Sequence, residues 1–87
     1  MSPDERVFLR QQLLKNLYEH HFSFSGTVKV VTAEELKDDE YFLAYKYLSE
    51  KGCIQIDPPG LAEEQGKDIG YRITAQGIDL MEIRQRI

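Results

Sequence analysis

Stretches with helical hydrophobic spacing alternate along the chain with short runs of β-branched or alternating residues. Val7, Leu14, Leu17 and Tyr18 follow helical spacing, and Leu9, Leu13 and Leu17 form a second row at i, i+4. The apolar stripe is wide, so this first helix needs more than one packing partner. Its start is marked by Ser2, Pro3 and Glu5, an S-x-x-E capping box with proline at the first helical position. The turn residues Ser23-Phe24-Ser25-Gly26 predict its end near His21. The β-branched run Val28-Lys29-Val30-Val31 predicts one short strand. Thr32-Ala33-Glu34-Glu35 repeats the capping signature and predicts a short helix to about Lys37. Asp38 or Asp39 then caps a helix running through Glu40 to Lys51. Its inward face is predicted at Leu43, Ala44, Tyr47 and Leu48, with Phe42 also in the core. Gly52 stands where a left-handed residue ends a helix.

The second half repeats the alternation. Cys53-Ile54-Gln55-Ile56 predicts a strand that Asp57-Pro58-Pro59-Gly60 cannot continue. A polar stretch reaches Gly70, and Tyr71-Arg72-Ile73 predicts the returning strand. Thr74 caps a last helix carrying Ile78, Leu80, Met81, Ile83 and Ile87. Gly77 in that helix costs about 1 kcal/mol relative to alanine, which points to a close backbone approach there. The expectation is an α+β fold. With 87 residues, a single domain spanning 1–87 is expected, because a second one would have no core of its own.

The order helix-strand-helix-helix-strand-wing-strand-helix resembles the winged-helix (winged helix-turn-helix) domain of bacterial transcription regulators, from about Val7 to Met81. Three stretches carry the resemblance. Leu43-Ala44-x-x-Tyr47-Leu48-x-x-Lys51-Gly52-x-Ile54 looks like a recognition helix turning into a wing strand. The loop with Pro58, Pro59 and Gly60, about residues 57–70, looks like a wing. Tyr71-x-Ile73-Thr74-x-x-Gly77-x-x-Leu80 is similar to the return strand and following helix of such regulators. The resemblance implies that helix 39–51 faces the major groove, through Asp39, Glu40, Tyr41, Tyr45, Lys46 and Ser49. It implies phosphate contacts from Lys37, Lys67 and Arg72. It also implies a homodimer through terminal helices, where Leu80, Ile83 and Ile87 form one apolar side of the last helix.

Charge changes this picture. The chain carries 11 basic and 15 acidic residues, a net −4. Residues 32–50 hold two cations and six carboxylates, and residues 57–68 hold one cation and four. The acid therefore gathers on the helix pair and the wing, the parts expected to meet DNA, and phosphate repels it. Tyr41 and Tyr45, four residues apart, share a predicted face; exposed beside Lys46, they suit a protein interface better than a groove. Two functions follow: a small DNA-binding transcription regulator, or an acidic winged-helix adaptor that binds protein and leaves DNA alone.

Other chemistry is not expected. His20 and His21 are adjacent and diverge on a helix, so they do not clamp one metal. Glu34/Glu35 and Glu63/Glu64 are solvated faces without a nucleophile beside them, and the glycines after Pro59 form no phosphate loop. No enzyme activity, cofactor or metal is expected. Cys53 alone makes no internal disulfide, and the N-terminus lacks a signal-peptide layout. No apolar run suits a membrane, so a cytoplasmic setting is expected.

Overall fold

A computed structural model describes residues 1–85. Its elements are α1 (Pro3–Ser23), β1 (Lys29–Val31), α2 (Ala33–Leu36), α3 (Asp39–Glu50), β2 (Ile54–Ile56), β3 (Ile69–Ile73) and α4 (Ala75–Gln85). The fold is α+β: four helices and one three-stranded antiparallel sheet in the order β1-β3-β2. Val31 pairs with Ile69 on one side of β3, and Ile54 pairs with Ile73 on the other. Ile69, Tyr71 and Ile73 alternate onto the buried face. There they meet Leu13, Leu14 and Leu17 of α1 in one apolar cluster.

Local chemistry sets most boundaries. The Ser2 hydroxyl accepts from the Glu5 amide at 3.2 Å and Glu5 returns the bond to the Ser2 amide at 3.0 Å, the full capping box. At α2 only half the box forms: Thr32 accepts from the Glu35 amide, while the Ala33 amide donates to Asp68 from the β2–β3 loop at 2.7 Å. Asp38, not Asp39, caps α3. Gly52 has φ +75°, with the Cys53 amide donating to the Leu48 carbonyl and the Gly52 amide to Ser49, a Schellman ending.

Two boundaries and one packing face differ from expectation. Helix α1 runs on to Ser23, because the Phe24 amide still donates to His20, and only Ser25 and Gly26, both at positive φ, turn the chain. Strand β3 begins at Ile69 rather than Tyr71, so the loop is 57–68. Gly70 pairs with Val30 inside the strand, and the position needs glycine: a Cβ there would lie 2.6 Å from Val28 Cγ1 and 3.0 Å from the Asp57 carbonyl. Third, the inward face of α3 is rotated. Ala44, Tyr45 and Leu48 are buried, while Leu43 and Tyr47 face out and Phe42 is half-buried. Tyr45 fits inside because its ring stacks on Tyr71, centroids 4.8 Å apart and 9° from parallel. Tyr47, with its polar tip, takes the rim.

The start of α4 is fixed on the α3–β2 junction. The Thr74 amide donates to the Cys53 carbonyl at 3.0 Å, the Thr74 hydroxyl to Gly52, and the Gln76 amide group to Lys51 at 2.8 Å. Gly77 lies against the Cys53 carbonyl, as its cost in a helix suggested; an added Cβ would also come within 2.8 Å of Ile73. Gly77→Ala should therefore destabilise the fold despite better helix propensity. Overpacking costs about 1–3 kcal/mol against the ~1 kcal/mol gained. Chemical denaturation checks this: a midpoint at or above wild type would remove the steric argument.

Burial also predicts a pH response. Desolvation pushes the Tyr45 hydroxyl up to about 12 from an ordinary 10.0, and raises Tyr71 as well, helped by the Glu63 carboxylate. The fold favours the protonated phenols. Their contribution is complete below pH about 10 and is lost as pH climbs through about 12. Denaturant midpoints should hold to pH about 10 and then fall, and Tyr45→Phe should blunt that fall.

Candidate functional site

The residues implied by the resemblance do not converge. Tyr45 is 3% exposed and contributes nothing to a recognition surface. Tyr41 is partly exposed but lies beside Met1 and Phe8 of α1, so the two tyrosines do not share an open face. Lys46 is exposed and Ser49 half-buried. The open stripe of α3 is Asp39, Leu43, Lys46 and Glu50, spaced i, i+4, i+7, i+11. It presents two carboxylates, one lysine and a leucine that is 57% exposed.

The cations proposed for phosphate contact are scattered. Lys67 pairs with Glu64 at 2.8 Å, which raises the lysine and lowers the glutamate from their ordinary values. Arg72 alternates onto the outer sheet face, opposite Gln55 and beside His21. Lys37 is exposed at the end of α2.

The loop 57–68 is held down on the helix pair. The Gln65 side-chain amide donates to the carbonyls of Leu36 and Lys37 at 2.8 and 3.2 Å, and to the Asp39 carboxylate at 2.9 Å. Glu63 accepts from the Tyr71 hydroxyl at 2.9 Å, and Asp68 caps α2. Nothing in the sequence marks Gln65, because its partners lie far away along the chain. Loop and helix pair form one lobe whose carboxylates include Glu34, Glu35, Asp38, Asp39 and Glu64.

A different surface lies on the other flank of α3, where it packs beside α1. One depression there is lined by Arg6, Leu9, Arg10, Glu40, Leu43 and Tyr47. A second adjoins it, between α1, α3 and the start of α4, with Val7, Leu14, Tyr47, Lys51, Gln76 and Leu80 in its walls. Arg10 and Tyr47 belong to both. The Arg10 guanidinium stands 4.0 Å over the Tyr47 ring, and the Lys51 ammonium lies 5.7 Å from it. Glu40 is held by Arg6 through two bonds of 3.0 and 2.9 Å, which keeps its carboxyl below the ordinary value. Sequence reasoning placed Tyr47 in the core and so missed this surface. The signal was present: once Ala44, Tyr45 and Leu48 fill the inward face, Leu43 and Tyr47 are surplus apolar residues.

On α4, Leu80 is 37% and Ile83 56% exposed, whereas Ile87 lies outside the described residues. Among the described residues no helix is long and apolar enough to cross a membrane. No protein-family model matches the chain, no curated protein matches it, and no solved structure matches it.

The Gln65 anchor can be tested directly. Gln65→Ala removes two N–H donors that Nε2 shares among three acceptors, each worth about 1 kcal/mol net, and water can replace part of them. Amides of the 57–68 loop and of the α2–α3 turn should exchange faster with solvent, while the β3 amides keep their protection. Unchanged exchange in the loop would show that the anchor carries no weight.

Proposed function

We propose that this chain is a non-enzymatic, protein-binding winged-helix module that does not read DNA. The element order and the antiparallel sheet support a winged-helix reading of the fold. The open stripe of α3 carries the functional part. A groove reader needs donors and positive charge on that stripe. Here Lys46 stands between Asp39 and Glu50, and Leu43 occupies the middle. The wing-like loop supports the same reading, because Gln65 ties it back onto an acidic helix pair instead of leaving it free to straddle a phosphate backbone. Exposed apolar side chains on α3 and α4 are the kind of surface another protein covers. A cytoplasmic setting, where the free Cys53 stays reduced, belongs to this proposal.

Self-pairing through Leu80 and Ile83 is the competing use of the apolar surface, favoured by the exposure of both. The regulator reading is tested by anisotropy with mixed-sequence duplex DNA. The adaptor reading expects no binding at about 50 mM salt. Binding at low salt that weakens steeply as salt rises would overturn it.

A further inference from the structure

We propose that the trough between α1, α3 and the start of α4 binds an acidic amphipathic helix from another protein. This rests on the protein-binding reading and names the class of partner. The trough consists of two adjoining depressions of about 430 and 350 Å³ that share Arg10 and Tyr47. The two depressions are open to solvent and joined through shared residues rather than enclosed, so a row of side chains fits better than a compact small molecule.

The walls say what those side chains are. Val7, Leu43, Tyr47 and Leu80 expose apolar surface to the channel, and such surface binds apolar anchors. Charge then selects among apolar partners. In a chain of net −4, the half of the channel between Val7 and Leu80 is lined by Arg10 and Lys51 and, among the described residues, by no carboxylate. In the other half the one lining carboxylate, Glu40, is already held by Arg6. Arg10 and Lys51 lie on the Tyr47 ring and pair with no carboxylate among the described residues. Arg10 is pre-oriented, since its Nε donates to the Arg6 carbonyl at 3.2 Å. An oriented arginine and an exposed lysine, both unneutralised beside an aromatic anchor, suit a partner with carboxylates flanking its apolar residues.

The partner's backbone also matters. Helix residues form the channel walls apart from Lys51 at the end of α3 and Cys53 just before β2, and no strand residue lines it, so an extended peptide would find no sheet edge to pair with. A helix brings its backbone bonds already made. A second copy is disfavoured by symmetry. A two-fold contact through this face would bring two copies of the same cation-bearing patch together without supplying the carboxylates it lacks, and a head-to-tail contact onto the acidic lobe would build rings or filaments rather than a dimer.

The probe is a capped synthetic helix of about 16 residues, roughly 24 Å long, with leucine at i, i+3, i+4 and i+7 positions and glutamate elsewhere. A control peptide carries lysine in place of every glutamate. Titration of the full chain, followed by amide NMR, should give saturable shifts at Tyr47, Lys51, Gln76 and Leu80 with the glutamate peptide. Arg10→Glu with Lys51→Glu, both surface changes, should weaken binding more than about tenfold. Tyr47→Ala, at the rim, should weaken it independently, with the fold of each variant checked by circular dichroism. Absence of shifts, shifts confined to the 57–68 loop, or equal binding of the lysine peptide would each overturn the trough assignment. Sedimentation of a dimer that Tyr47→Ala dissolves would overturn it in favour of a second copy. DNA binding in the anisotropy assay overturns the module reading by itself, so the two failures are read separately.

Discussion

Three consecutive carbonyls, those of Lys51, Gly52 and Cys53, are taken by the first turn of α4. They belong to the point where α3 ends and β2 begins, so one cluster of bonds joins a helix end, a strand start and a helix start. The geometry is demanding on both sides. Gly52 must adopt a left-handed conformation to expose the carbonyls, and Gly77 must lack a side chain for α4 to come this near. Of the three residues only Cys53 is buried, so its carbonyl is the acceptor for which a lost donor would cost most, about 1–3 kcal/mol. The cluster therefore specifies where α4 sits as much as it strengthens the fold. The trough depends on it, because Gln76 and Leu80 enter its wall only from this anchored position.

The charge distribution is divided by α3. On one side, carboxylates are engaged in holding backbone and side chains: Asp38 and Asp68 cap helices, Asp39 accepts from Gln65, and Glu63 accepts from Tyr71. Much of the negative charge thus has a structural occupation, and the repulsion of phosphate comes with it. On the other side, Arg10 and Lys51 rest on Tyr47 with their charge unspent. A net charge of −4 hides this separation, which only the fold displays.

Legibility followed the range of the interactions. The Ser2 box, the left-handed Gly52 and the Thr74 cap are local, and the residues announce them; Gly77 is the exception, a long-range approach to Cys53 that shows because glycine is costly inside a helix. Helix α3 was harder because it carries two apolar rows. Leu43 and Tyr47 compete with Ala44, Tyr45 and Leu48, and only the Tyr71 ring opposite decides which row turns in. That same choice removed Tyr45 from the candidate site and delivered Tyr47 to another one. Gly70 read as the end of the polar stretch, yet it pairs with Val30 within β3, where crowding by Val28 and Asp57 leaves room only for glycine. Of the cations assigned to phosphate, Arg72 is turned onto the outer sheet face by strand alternation, Lys67 is taken by Glu64, and Lys37 stays at the end of α2, placements that depend on register and loop path.

The β2–β3 loop has its fastenings at its two ends. Asp57 donates its amide to Gly70, and Glu63, Gln65 and Asp68 hold the second half. Between them, residues 58–62 make no such bond among the described residues, and Pro58, Pro59, Gly60, Leu61 and Ala62 are all exposed. Length can change there without disturbing a cap or a strand register. For anyone attaching a fluorophore or grafting a reporter peptide, that short span is the natural port, set apart from both the acidic lobe's anchors and the trough.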